Sequence, residues 1–414
     1  IIRVRTDWLP SASDSEGYDE DCTAQNPKFK SSEIATVVSG FARVLDTTNL
    51  SRNSTEMMYF MCQAAEGLDT SAWNTPTTAI FLSAMAKCGV RREQTIQHLS
   101  VAIQGQELGQ VPLQDASLAL FSLASLGATS DNVIEHLIQR IIEASDAEFS
   151  MLSVANIAWA TAALDLSNPE LHTVLKKQIQ YWYSDFLQGR QEIVRETPLD
   201  ILSSTAILDS QDPRPTLIPK PISVVSLQEI RQVHQYILSR KFAPEHSGPK
   251  EGRILDPSQE RICCSIFEAR SRNRAKPSQL QAQVEKGLTD LGFKFVSEAI
   301  DSCTGYGIDI LLHSPEAKQF GEGSAVSIEE SMPCLAIEVD GPLHYALPDR
   351  RESLGSTVLK HRQLRRAGWK LVSIPFWDWN RRYSWEERRR YLEELLMAEG
   401  DEIWSLRQIS RSTS

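Results

Sequence analysis

The sequence has no run of 18 uninterrupted apolar residues, which leaves out a helix that crosses a membrane. It has no Cys-x-x-Cys pair and no zinc spacing. Its seven cysteines, at 22, 62, 88, 263, 264, 303 and 334, form no pattern, which predicts reduced thiols in an intracellular or organellar compartment. Positive charge is not in excess either. The formal net charge of −11 excludes a protein that coats RNA with a uniformly basic surface. What is present is ordinary for a folded chain: 41% hydrophobic and 23% charged residues in a length of 414, room for two or three cores.

The average charge hides an asymmetry. Residues 1–200 carry a balance of −11, whereas residues 350–390 carry a balance of +8. One local region therefore has the electrostatics to meet phosphate and the rest does not.

Residues 1–31 are polar and acidic and read as an irregular lead-in. From 32 to 208 the pattern is helical, without strand signals, and it repeats. LSAMAKCG ends at Gly89, LFSLASLG at Gly127 and AWATAALD at Asp165, 38 residues apart both times, with looser copies in SGFARVLD and LSSTAILD. Each copy is a helix with alanine and serine on one face and a glycine or aspartate stop. Such a unit cannot bury its apolar side alone, so the units are expected to stack into an α-helical solenoid. Residues 209–276 hold a proline-rich linker, DSQDPRPTLIPKPIS, and two short helices that could cap the stack.

Residues 277–414 change character. A helix with Ser278 as N-cap and Gly292 as stop precedes three strands, FKFVSEAI, YGIDILLH and CLAIEVD. A helix STVLKHRQLRRAG, a strand KLVSIPFW and a helix SWEERRRYLEELLMAE follow. The order α-β-β-β-α-β-α predicts a sheet covered by helices.

Within CLAIEVD, alternation puts Leu335, Ile337 and Val339 on one face and Ala336, Glu338 and Asp340 on the other. Two carboxylates on one strand face need a cation or hydrogen-bond donors. Asp309 in the preceding strand is expected to converge on them, and three such carboxylates can hold Mg²⁺ for phosphodiester cleavage. Lys360 shares the inward helix face with Leu364 and Ala367, where it can act in a nuclease or simply neutralise Glu338 or Asp340. His344 reads as a positioned hydrogen-bond partner rather than a base. On the opposite, outward face fall His361, Arg362, Arg365 and Arg366, which with Lys370, Arg381 and Arg382 make a candidate phosphate-contact strip. Of the nearby tryptophans, 369 and 379 read as core, and an exposed one could stack on an unpaired base.

The residues EVDGP.H, LG.T.LK.R.L...GW and IPF..W, from Glu338 to Trp379, resemble the RAP domain, an organellar RNA-binding module. RAP domains are similar in fold to PD-(D/E)xK (restriction-endonuclease-like) nucleases and usually follow a helical repeat array. The 38-residue period resembles octotricopeptide repeats or their shorter heptatricopeptide relatives. The resemblance implies an α-helical repeat solenoid followed by an α/β RAP domain and a role in mitochondrial or plastid RNA metabolism. In this sequence Asp340 stands where the nuclease pattern has lysine, which favours a domain that holds RNA without cutting it, with no catalytic residue, metal or cofactor. The alternative is a Mg²⁺-dependent endoribonuclease using Asp309, Glu338, Asp340 and Lys360; a third reading is a protein-interaction scaffold. The partners expected are organellar ribosomal RNA on the RAP domain and basic ribosomal or other ribonucleoprotein proteins on the acidic repeats, with no membrane. The compartment expected is the mitochondrion, with the plastid as alternative.

Overall fold

The computed structural model of the protein describes residues 30–44, 52–128, 131–196, 226–243, 253–272, 277–313, 325–326, 334–404 and 406. The lead-in up to residue 29, the copy LSSTAILD and the proline-rich stretch 209–223 lie outside the described residues.

The first ten helices are α1 (Ser31–Val44), α2 (Arg52–Glu66), α3 (Thr75–Cys88), α4 (Glu93–Gln104), α5 (Leu113–Ser125), α6 (Asp131–Ile142), α7 (Met151–Ala163), α8 (Pro169–Glu196), α9 (Leu227–Lys241) and α10 (Pro257–Arg272). They stack in two rows. The odd-numbered helices pack each on the next, α1 to α9, and the even-numbered helices form the second row, α2 to α10. The two helices read from sequence as a cap thus extend both rows, α9 on α7 and α10 on α8.

Small residues explain the inner row. α7 is buried on nearly every face, with Ala155, Ala158, Ala160 and Ala162 among its contacts, because it is covered by neighbours on all sides. Its hydroxyls cost little to bury: Thr161 Oγ1 donates to the Ile157 carbonyl at 2.8 Å, and in α5 Ser122 Oγ donates to Leu118 at 2.6 Å. Each repeat stops in the same way. Gly89, Gly127 and Asp165 all adopt left-handed φ, at 62°, 68° and 57°. In each, the N–H at the stop and the N–H after it turn back to the last carbonyls of the helix, such as Gly127 to Ala124 at 3.1 Å and Ala128 to Leu123 at 3.0 Å.

The C-terminal part contains α11 (Gln279–Asp290), β1 (Phe295–Asp301), β2 (Gly307–His313), β3 (Ala325–Val326), β4 (Cys334–Asp340), α12 (Gly355–Arg366), β5 (Leu371–Pro375), α13 (Phe376–Asn380), α14 (Trp385–Ala398) and α15 (Asp401–Trp404). The sheet order is β3-β1-β2-β4-β5. β1–β2 and β2–β4 are antiparallel, and β4–β5 is parallel, as a helical crossover through α12 requires. α11 and α14 cover one face, where Leu335, Ile337 and Val339 meet Val284, Leu288, Leu392 and Leu396. α12 covers the other face, where Ala336 meets Leu364 and Trp369. Leu347 and Leu359 join the repeat core instead, so the apolar interior is continuous between the two parts. The architecture is a helical solenoid followed by an α/β domain. The expected fourth strand is shorter than KLVSIPFW: Pro375, without an N–H, ends it and opens α13.

Candidate functional site

β4 carries Glu338 and Asp340 under α12, both fully buried. Lys360 of α12 reaches down, its Nζ 2.5 Å from Glu338 Oε2. The second oxygen, Glu338 Oε1, is buried without a hydrogen-bond partner. Burial, then the charge of Asp309, pushes Glu338 up to about 8 despite Lys360. Burial pulls Lys360 down, but Glu338 and Asp309 outweigh it and keep the ammonium charged.

Asp309 takes the place of a backbone rung. The β2–β4 pairing ends at Ile310 and Ile337, and Asp309 Oδ2 accepts the Val339 N–H at 2.7 Å. Opposite, Glu298 of β1 has φ 53°, and the pairing skips it between Ser297–Ile310 and Ala299–Ile308 without a change of register. Burial first and Asp309 second push Glu298 upward as well.

Asp340 belongs to a separate group. His344 Nδ1 lies 2.6 Å from its Oδ1, Ser373 Oγ donates to its Oδ2, and His361 Nε2 lies 3.5 Å from Oδ2. Burial alone would raise this carboxyl; His344, His361 and Ser373 outweigh burial and hold it far below the carboxylate range. Asp309, Glu338 and Asp340, expected as one Mg²⁺ cluster, lie near one another but are engaged by different partners. One oxygen of Asp309 and one of Glu338 serve a backbone amide and a lysine, and both oxygens of Asp340 serve neighbouring side chains. Among the described residues no three histidine, cysteine, aspartate or glutamate side chains are grouped to hold a metal. What this arrangement does chemically is bury a neutralised pair beneath α12 and fix the His344 imidazole, whose side chain stays 37% exposed, by one nitrogen.

The basic strip is rearranged more deeply. His361 is buried beside Asp340 rather than outward. Arg362 Nη2 donates to the carbonyls of Ala162 and Ala163 at the end of α7. Arg366 grips Asp165 with two bonds of 2.7 and 2.6 Å. These guanidiniums meet the negative end of the α7 dipole and its acidic stop. Burial would raise Asp165; Arg366 and Arg362 outweigh it and lower its carboxyl. The other two stops also meet this domain. Gly89 accepts the Leu347 N–H at 2.7 Å. At Gly127, Arg91 donates to the carbonyl at 3.1 Å while pairing with Glu352 at 2.7 Å. Arg382 lies 3.6 Å over the Tyr391 ring and bonds to Asp378. Arg365, Lys370 and Arg381 remain at the surface, Arg381 with Asp378 at 2.9 Å.

Residues 337–395 match the RAP domain family. The chain carries a RAP domain. A chloroplastic RAP domain-containing protein of Oryza sativa subsp. japonica is 30% identical over 125 residues, 30% of this chain and 16% of that relative. The chain thus aligns with under one fifth of the rice protein. A RAP domain points to RNA binding, and no described helix is long and apolar enough to cross a membrane.

Sequence reasoning missed several residues that position the RAP domain. Gln363, inside the supposed basic helix, accepts from Tyr306 Oη at 2.8 Å and donates to the Gln235 carbonyl and to Ser239 at 2.7 Å. Gly355 starts α12 against α5, where an added Cβ would stand 1.9 Å from the Ala124 carbonyl oxygen. Trp369 and Trp379 are core, as expected. Trp377 and Trp385 lie under Arg351 at 4.4 Å and Lys286 at 4.1 Å. Among the described residues Tyr383 is the most exposed aromatic at 92%, and it was not among the tryptophans singled out from sequence.

Proposed function

We propose that this chain is an organellar RNA-binding protein, a component or assembly factor of the mitochondrial ribosome whose RAP domain engages ribosomal RNA. The RAP match over residues 337–395 carries the reading. The chloroplastic label of the rice relative supports an organelle, with the plastid as the alternative compartment. Arg365, Lys370 and Arg381 are the exposed cations of the original strip, whereas Arg362 and Arg366 are spent on the repeats. The acidic repeats suit basic protein partners such as ribosomal proteins better than a phosphate backbone.

Replacing Arg365, Lys370 and Arg381 with alanine should flatten the salt dependence of RNA binding by up to about 0.7–0.9 per lost contact. An unchanged slope moves the RNA surface elsewhere. Sedimentation of an organelle lysate tests the assembly: co-migration with ribosomal subunits after a moderate salt wash supports it, and a protein found only in light fractions refutes it. The endoribonuclease reading draws on one observation, the unpartnered Glu338 Oε1 beside Asp309 and Lys360. Cleavage of RNA with Mg²⁺ that disappears in Glu338→Gln would establish it over the binding role. Binding of basic proteins without RNA affinity would favour a scaffold.

A further inference from the structure

Where the end of α3 meets the RAP domain there is a cavity of about 210 Å³. Ala86 and Lys87 form one wall, and Leu343, Tyr345, Arg350 and Leu354 form the other. We infer that this cavity is a slot for one unpaired RNA base, with Lys87 and Arg350 holding the phosphates that flank it. The inference rests on the RNA-binding reading above and names the place where a single strand enters.

Size, chemistry and rigidity support it. The cavity is smaller than the roughly 300 Å³ at which pockets for drug-sized ligands begin, so it suits one planar group. Its walls are largely apolar, and Leu343 is 51% exposed at the rim. The Tyr345 ring is buried and backed by Phe376, with ring centres 5.9 Å apart. A flat apolar wall takes a base face, and bases are free to enter only when unpaired.

Charge is the second observation. Around this seam Arg91, Arg362 and Arg366 are matched by Glu352, the α7 carbonyls and Asp165. The Lys87 and Arg350 side chains have no hydrogen bond or ion pair with the described residues. The acids next to Arg350 in sequence act elsewhere: Glu352 pairs with Arg91, and Asp349 helps raise the Tyr59 phenol of α2 after burial and Cys62. Two unmatched cations across an apolar slot fit a nucleotide, an apolar-faced base flanked by anionic phosphates, better than a neutral peptide.

The slot is also held open before any ligand arrives. Gly89 and Leu347 form a short bridge, with Leu347 N–H to Gly89 at 2.7 Å and Arg91 N–H to Leu347 at 2.9 Å. The loop is closed by Arg350 N–H to Ala346 at 2.9 Å and Ala346 N–H to Glu352 at 2.8 Å. At its tip Arg350 takes φ 50°, a conformation an arginine adopts at a cost.

The test measures binding of the full chain to a short fluorescein-labelled single-stranded oligouridine and to a duplex of equal length. Lys87→Ala with Arg350→Gly removes both cations, and glycine also suits the positive φ. This pair should weaken single-strand binding by about tenfold or more and lower the salt slope by about 1.4, at about 0.7 per phosphate contact. Ala86→Phe fills the slot without changing charge and should weaken binding about 5-fold or more, with the slope unchanged. Wild-type binding that survives both variants overturns the slot and leaves the RNA reading standing. Equal losses on duplex also overturn it, as does unchanged RNA affinity with loss of a protein partner, which would assign the cavity to a peptide. A wild-type chain that binds no RNA overturns the reading beneath it.

Discussion

Residues 1–200 carry a balance of −11 and residues 350–390 a balance of +8, and taken apart they suggest different ligands. Folded, they meet. The stops at Gly89, Gly127 and Asp165 bring the ends of α3, α5 and α7 into one row, and the loop 345–353 and α12 lie along it. Two cations of that basic segment, Arg362 and Arg366, are therefore taken up by a helix end and an acidic stop inside the molecule. A charge cluster in sequence marks an interface, but it does not say whether the partner is a nucleic acid or another part of the same chain.

The largest expected effect comes from disturbing the RAP side alone. Lys360→Met leaves Glu338 and Asp309 without their cation and should destabilise the protein by about 3–5 kcal/mol in chemical denaturation. A loss below about 1 kcal/mol would show that Glu338 is neutral enough to need no partner. Gly355→Val strikes the seam. The side chain has no room beside the Ala124 carbonyl, and the cost should be about 1–3 kcal/mol, while Ser356→Ala, one residue on and exposed, should change little. If both variants behave alike, α12 does not press on α5.

Acid should loosen the same joint. His234 of α9 is buried against the turn between β1 and β2 at Thr304, whose carbonyl lies 2.9 Å from its Nε2. Burial, only partly offset by that carbonyl, pulls its pKa from 6.5 to about 4. Because the folded value is the lower one, the contribution is whole above pH 6.5 and is lost as pH falls toward 4. A His234→Gln variant should lose less stability over that window than wild type; equal losses would place the acid sensitivity elsewhere. The smallest effect is expected at the clamp itself. Asp165 is about 40% exposed, so Asp165→Asn should cost at most about 1 kcal/mol, less in high salt. A larger, salt-independent loss would mean that the bidentate pair holds the two regions together.

Much of this was legible in the chain. Ser278 does cap α11, its hydroxyl accepting from Gln281 at 3.1 Å, and Gly292 ends the turn at φ 84°. CLAIEVD is β4 to the residue. Both follow from local rules, a side chain that bonds its own helix start and an alternation of period two. The strip on α12 was misread because a helical period gives the angle between residues and not which neighbour covers each face. Arg362 and Arg366 face the repeats, and His361 packs beside Asp340 of β4. Asp309 was placed with the carboxylates, yet its Oδ2 takes the Val339 N–H of the neighbouring strand, and no spacing encodes that.

The sequence by itself determined the repeats, their stops, the order of the α/β elements and the RAP resemblance, because each rests on contacts within a few residues or on a period. Tertiary structure alone decided that three stops 38 residues apart form one line, that α12 lies across it, and that Gly355 permits the approach. It also decided which cations of the strip stay exposed. Those outcomes depend on pairs such as Arg362 with Ala162 and Arg366 with Asp165, about 200 residues apart along the chain, whose meeting is set by the packing of whole helices.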